Sequence, residues 1–186
     1  GTLAPAIQTP AWHTDLWSAA DNVFTFDDVI RPLSAGPGNV EVIDVVRTLF
    51  GRENAIGAMR AEVRDRSLLR IYTNAPGGGT YGQAVPFGEP RTGEADLLHV
   101  ERRSEFRTNV GAVLTQPGSV RFQLFDASGN LLGETTRTGV VIQFPLTELT
   151  GERVHNGRIR ISSETPFVPY ASLVDNRSGD PSYVGR

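Results

Sequence analysis

The run D-N-R-S-G-D at residues 175–180 is rich in oxygen-bearing side chains and contains a glycine. Calcium in proteins binds carboxylate and amide oxygens, and a glycine lets the loop turn around the ion. Asp175, Asn176 and Asp180 are therefore the candidate calcium ligands. The alternative is a turn in which Asp175 and Asn176 hydrogen-bond to their own backbone and Gly179 takes a positive φ. Three side chains also fall short of the roughly six to eight oxygens that calcium requires.

Residues for covalent or acid–base catalysis are scarce. All 18 basic residues are arginines and there is no cysteine, so a lysine Schiff base and a thiolate nucleophile are both excluded. His13, His99 and His155 are far apart in the sequence, and no G-x-S-x-G motif accompanies them. We therefore predict that the chain is not an enzyme. A carbohydrate contact at Trp17 stays open.

Net charge and hydrophobic patterning narrow the classes of partner. The formal charge of -3 gives no basic excess that would neutralise phosphates, so nucleic acid is an unsuitable partner. No apolar run approaches the roughly 18 residues needed to cross a bilayer. Starting at glycine fits a mature exported chain, so we expect an extracellular or cell-surface location after removal of a signal peptide.

The runs between the glycines and prolines are short, β-branched and often alternating, which predicts strands. At 119–125 Val120, Phe122 and Leu124 share one face, and the segment 157–163 alternates in the same way. The only predicted helical turns lie at 45–50 and 146–150, each followed by a glycine.

Four blocks recur in the same order along the chain, which indicates an internal repeat. The blocks pair residues 12–16 with 106–110, 42–51 with 142–151, 57–60 with 157–160, and 72–81 with 174–183. We predict an N-terminal extended segment, a first repeat, a linker and a second repeat. Their respective bounds are 1–11, 12–82, 83–94 and 95–186.

These blocks also carry a family resemblance. W-H-T-D-L at 12–16, G-G-T-Y-G-Q at 78–83, F-R-T-N-V-G at 106–111 and, most specifically, D-N-R-S-G-D-P at 175–181 resemble exported bacterial proteins with paired immunoglobulin-like domains. The resemblance spans nearly the whole chain. It implies an all-β fold of two tandem immunoglobulin-like antiparallel β-sandwiches, with no catalytic site to transfer.

The N-terminal segment suggests a mode of assembly. Leu3, Pro5 and Ile7 alternate with smaller residues, so an extended segment would present an apolar face. The stretch 17–40 lacks the expected alternation, which predicts a missing strand and an exposed sheet edge in repeat one. A neighbouring subunit could fill that edge with its N-terminal segment. The alternative is that this segment is the first strand of its own sandwich, at an edge where Pro5 is tolerated.

The sequence thus predicts a non-catalytic extracellular structural or adhesive protein, a subunit of a cell-surface filament assembled by strand donation. The alternative is a carbohydrate- or calcium-assisted binding module that accompanies a secreted enzyme. The predicted partner is a second copy of the chain in the first case and a surface polymer or glycan in the second.

Overall fold

A computed structural model describes residues 1–9, 11–62 and 67–185. The chain divides into two compact units, Gly1–Glu89 (unit 1) and Pro90–Arg186 (unit 2). The boundary falls within the predicted linker, and every strand pair in both units is antiparallel. The predicted all-β class with antiparallel, sandwich-like sheets is confirmed.

Unit 1 contains eight strands within its described residues: β1 Thr2–Gln8, β2 His13–Ser18, β3 Asn22–Phe26, β4 Val29–Leu33, β5 Val40–Val42, β6 Ala55–Ala61, β7 Ser67–Asn74 and β8 Thr80–Pro86. Unit 2 contains β9 Arg91–Arg102, β10 Phe106–Phe125, β11 Leu131–Pro145, β12 Val154–Asp175 and β13 Pro181–Gly185. The two predicted helical turns are confirmed as α1, Val45–Thr48, and a 3-10 turn at Leu146–Glu148.

The strands of unit 1 form two four-stranded sheets, ordered β1-β6-β3-β4 and β5-β2-β7-β8. Alternate side chains of the central strands are buried, which gives each sheet one apolar inner face. The larger buried side chains of the inner faces include Phe24, Phe26 and Met59 in the first sheet and Leu16, Leu69, Ile71 and Val85 in the second.

In unit 2 the three long strands β10, β11 and β12 each correspond to a pair of short strands in unit 1. Strands β10 and β12 pair in two blocks, separated by a register shift between Leu114 and Arg121. Bends at such irregularities let one strand contribute to two packed layers. Phe122, Phe144 and Phe167 lie in the buried cluster that fills this unit.

Both units use the same pairing scheme. Phe24 and Phe26 on β3 face Ala61 and Met59 on β6, as Phe122 and Leu124 face Ile161 and Ile159 in unit 2. The structure corrects the register of one sequence block by two residues. Leu16 pairs with Val42 and its counterpart Val110 pairs with Phe144, so Phe144, not Ile142, is equivalent to Val42.

A buried threonine repeats the same contact in each unit. The hydroxyl of Thr14 donates to the Ile7 carbonyl, and that of Thr108 donates to the Glu101 carbonyl at 2.9 Å, each seven residues back in the chain. Thr108 Oγ1 also accepts the Glu101 N–H at 2.9 Å. In each unit this contact links the first strand to the second.

We expect Thr14→Val to cost about 1 kcal/mol and Thr108→Val about 2 kcal/mol of unfolding free energy, because the second substitution also leaves a buried N–H without its acceptor. Urea denaturation measures both losses. Thr138→Val, at an exposed hydroxyl on β11, is the control. Equal stability of Thr108→Val and the control would contradict this reading of the repeat.

The prediction of a missing strand in unit 1 is wrong. The stretch 17–40 contains β3 and β4, joined by a tight turn in which Asp27 and Asp28 both have positive φ. That is the geometry of a type I′ hairpin, which Asn-Gly usually marks and Asp-Asp does not. The predicted linker 83–94 includes the end of β8, at Pro86, and the start of β9, at Arg91.

The N-terminal segment is the first strand of its own unit. Strand β1 pairs with β6 through seven residue pairs, from Thr2 opposite Ala61 to Gln8 opposite Ala55. Leu3 and Pro5 are buried and Ile7 is half-buried, and the small residues Ala4 and Ala6 between them are also buried. The predicted apolar face of Leu3, Pro5 and Ile7 therefore packs within the chain's own fold.

Candidate functional site

The outer face of β2 and β7 carries aromatic and charged side chains together. On β2, Thr14, Leu16 and Ser18 are buried on the inner face, while His13, Asp15 and Trp17 lie on the other face, where Asp15 is also buried and Trp17 is exposed. Cross-strand pairing places Tyr72, Arg70 and Leu68 of β7 directly opposite these three residues. We call this set of six side chains the Trp17 face. It extends about 13 Å along the strands from Trp17 to His13.

One end of the Trp17 face is apolar and open to solvent. Trp17 is 37% exposed and Leu68 is 36% exposed. Glu41 of β5 pairs with Trp17 on one side, and Pro86 of β8 pairs with Leu68 on the other. Large apolar side chains are costly to expose in such a cluster, so this end has the character of a contact surface.

The other end is polar and tightly ordered. The rings of His13 and Tyr72 stack with centroids 5.0 Å apart, and the Arg70 guanidinium lies 4.5 Å from the Tyr72 centroid. The Tyr72 hydroxyl lies 3.5 Å from Asp15 Oδ1. Burial, together with the negative charge of Asp15, raises the pKa of Tyr72. The phenol therefore stays protonated and able to donate a hydrogen bond at neutral pH.

Asp44 orients the side chains at this polar end. Its carboxylate contacts His13 Nδ1 at 2.8 Å and Arg47 Nη2 at 3.0 Å, and its N–H donates to Asp15 Oδ1 at 2.9 Å. Asp44 is 4% exposed and has a left-handed backbone, with φ 48° and ψ 53°. A non-glycine residue in that region is strained and is retained where surrounding contacts determine it.

The equivalent face of unit 2 lacks this arrangement. Pairing places Gly111 opposite Tyr170, where unit 1 has Trp17 opposite Leu68. A Cβ at Gly111 would come within 2.5 Å of the Tyr170 ring, and Tyr170 is buried, with its hydroxyl 3.0 Å from Gln143 Oε1. Burial raises the pKa of Tyr170. Only unit 1, within the described residues, presents an exposed tryptophan.

The three histidines occupy different environments. His13 is paired with Asp44, and His155 contacts both carboxylate oxygens of Glu101 at 3.1 Å. His99 contacts Asn156 Oδ1 at 3.3 Å. A histidine oriented by a carboxylate supplies two of the three groups of a catalytic triad, and the third is a nucleophilic hydroxyl. Among the residues that the structure describes, no serine or threonine hydroxyl hydrogen-bonds to either paired histidine. Sequence reasoning missed these pairs because their partners are distant along the chain.

The predicted calcium ligands lie in the turn between β12 and β13. Asp175 Oδ1 accepts the Arg177 N–H at 2.7 Å, and Asn176 Nδ2 donates to the carbonyls of Arg103 and Ser104. The Asp180 N–H bonds to Ser178 Oγ at 3.2 Å, and Gly179 has φ 83°. Asp175 and Gly179 thus match the capped turn that was the alternative, whereas the Asn176 side chain bonds to the 103–104 segment and not to its own backbone. In 1–9, 11–62 and 67–185 no cluster of three or more acidic, histidine or cysteine side chains is placed to hold a metal ion.

Comparison with known proteins gives no family assignment. No family model matches the chain, and no curated protein matches it. Among solved structures, a β-glucuronidase from Ruminococcus gnavus aligns over 97% of this chain and 33% of its own, at 10% identity and a TM-score of 0.22. A β-glucuronidase 2 from Bacteroides uniformis aligns over 97% of this chain and 25% of its own, with the same identity and TM-score. The chain thus spans a third or less of the length of these enzymes.

No helix among the described residues is long and apolar enough to cross a membrane.

Proposed function

We propose that this chain is a non-catalytic extracellular binding module and that the Trp17 face of unit 1 binds carbohydrate. The observation that carries the proposal is the exposed Trp17, which shares one sheet face with Tyr72 and Arg70. The ring faces of a sugar are apolar and its edges carry hydroxyls. An aromatic platform bordered by hydrogen-bonding groups is complementary to both.

The order already present in the polar end supports this function. His13, Asp15 and Tyr72 are held by the contacts to Asp44 and by ring stacking, so few side-chain rotamers remain to be lost on binding. The exposed Arg70 donates hydrogen bonds and the Tyr72 hydroxyl both donates and accepts them, which suits vicinal hydroxyl groups, while the buried Asp15 orients Tyr72. Such a module serves equally in adhesion to a glycan surface and in guiding a secreted enzyme.

An immunoglobulin-like origin of both units is also part of this proposal. The shared pairing scheme and the two packed sheets support it. A filament built by strand donation has less support. Both of its premises, a free N-terminal segment and a missing strand, are absent from unit 1, where β1, β3 and β4 are paired.

Trp17→Ala tests the proposed function. We expect binding to weaken at least about tenfold, because truncation of an exposed aromatic anchor removes most of its contact energy. Affinity electrophoresis in gels containing cellulose derivatives, xylan, β-glucan, mannan or pectin finds the polymer, and calorimetry with its oligosaccharide gives the affinity.

Ile56→Ala is the matched control, since Ile56 is 65% exposed on the other sheet and is expected to leave binding unchanged. Absence of retardation by every polysaccharide would overturn the proposal, as would equal binding by Trp17→Ala and the control.

A further inference from the structure

A cleft in unit 2 gathers arginine side chains at the start of β10. It has a volume of about 430 Å³ and is lined by Arg102, Arg103, Ser104, Phe106, Arg107 and Arg153, among others. We call it the Arg cleft. Arg102 is the last residue of β9, Arg107 is the second residue of β10, and Arg153 directly precedes β12. The tertiary structure thus brings together four guanidinium groups from three strand ends.

Three of these arginines are held in place by contacts with neutral groups. Arg102 Nη1 donates to the Gly151 carbonyl at 2.7 Å and also to the Glu152 carbonyl. Arg107 Nη1 donates to Asn176 Oδ1. The Arg103 guanidinium lies 5.0 Å from the centroid of Phe106. These contacts orient the side chains and leave their positive charge in place.

Carboxylates only partly neutralise the cleft. Arg103 Nε lies 2.9 Å from Glu101 and 3.9 Å from Glu105. The Arg103 Nε–H is not aimed at the Glu101 carboxylate closely enough to form a hydrogen bond. This Nε is therefore buried without a hydrogen-bond partner, as is Arg102 Nε. Within the described residues, Arg102, Arg107 and Arg153 form no ion pair with a carboxylate. The site is therefore net positive.

Two carboxylates against Arg103 leave an excess of positive charge around the cavity, which an anion bound there would neutralise. Planar carboxylates offer two acceptor oxygens, whereas a tetrahedral oxyanion offers three or more to donors that converge from several directions. Guanidinium groups bind such oxyanions with short, charge-assisted hydrogen bonds. We propose that the Arg cleft binds a tetrahedral oxyanion, the sulfate or phosphate group of an anionic ligand. This site is separate from the Trp17 face and does not depend on its function.

Calorimetric titration of the full chain with sodium sulfate at constant ionic strength tests the proposal. We expect saturable binding with one site per chain. The double variant Arg107→Gln, Arg153→Gln should weaken binding at least about tenfold, since it removes two charged donors. Both side chains are exposed, so the fold should survive the change, which far-UV circular dichroism checks. Arg31→Gln, at an exposed arginine of unit 1, is the control for the loss of a surface charge outside the cleft.

Titrations with phosphate, glucose 6-sulfate and glucose 6-phosphate establish whether the free ion or an ester is the better ligand, and any of these binding through Arg107 and Arg153 supports the site. Acetate is expected to bind at least about tenfold more weakly than sulfate. The proposal is overturned if none of the tetrahedral anions binds saturably, if acetate binds as tightly, or if the double variant binds like Arg31→Gln. Trp17→Ala should leave sulfate binding unchanged, which keeps the two proposals distinguishable.

Discussion

Phe122→Ala is expected to destabilise the protein by about 4 kcal/mol, because it removes a fully buried ring and leaves a cavity that the sheet cannot close. Phe122 faces Ile161 of β12 across the strand pair. Its ring also meets that of Phe144 edge to face, with centroids 4.9 Å apart and planes at 84°. The substitution therefore removes both packing area and an aromatic pair.

Urea denaturation followed by circular dichroism measures the loss for Phe122→Ala. Both tryptophans, Trp12 and Trp17, belong to unit 1, so their fluorescence follows that unit during the same titration. Leu131→Ala, at a half-exposed leucine of β11, is the matched truncation and should change stability little. Similar losses for the two variants would contradict the assignment of Phe122 to the core of unit 2.

Glu101→Gln is expected to cost about 3 kcal/mol, because a buried carboxylate that accepts several hydrogen bonds loses its charge. Glu101 is 1% exposed and accepts the Asn156 N–H at 3.0 Å and His155 Nδ1 at 3.1 Å. The guanidinium of Arg103 lies beside it. A glutamine of the same shape keeps one acceptor oxygen and places an NH2 group against one of these donors.

The same carboxylate makes stability depend on pH. Burial by itself would raise the pKa of Glu101, but the Asn156 N–H, His155 and Arg103 outweigh it and hold the pKa below its ordinary value of 4.5. A depressed pKa stabilises the fold while the group is ionised. This contribution is therefore complete above about pH 4.5 and is lost as the pH falls below that value.

Thermal unfolding between pH 7 and pH 3 measures this dependence. Glu101→Gln should be less stable than the parent protein at neutral pH, and the gap should narrow as the pH falls below 4.5. Glu105→Gln, at a half-exposed carboxylate near the same arginine, should follow the parent protein closely. A constant gap across the whole pH range would show that the loss comes from packing and not from charge.

The sequence by itself determined the strand content and much of the core. Alternation at 119–125 and 157–163 correctly placed Val120, Phe122 and Leu124 inside, because side chains of a strand alternate between its two faces and only one face can be buried. The glycines after 45–50 and 146–150 correctly marked two short helical turns. Both signals are local, so neighbouring residues suffice to read them.

Signals that local patterns do not carry were missed. The strands within 17–40 were overlooked because Asp27-Asp28 is an unusual choice for a tight hairpin. The alternation of Leu3, Pro5 and Ile7 indicated an extended strand, but its pairing partner β6 lies some fifty residues further on. The sequence of a segment of ten residues does not indicate whether the strand that pairs with it belongs to the same chain.

Only the tertiary structure decided which residues form the sites. His13 meets Asp44, Glu101 meets His155, and Arg102 and Arg107 meet Arg153 because strand pairing brings distant segments together. The tertiary structure also decided which side chains are exposed to solvent. Trp17 is exposed on the outer face of its sheet, whereas the equivalent Gly111 of unit 2 lies against Tyr170. The sequence supplies the side chains and their alternation, but the packing of the sheets determines which of them reach solvent.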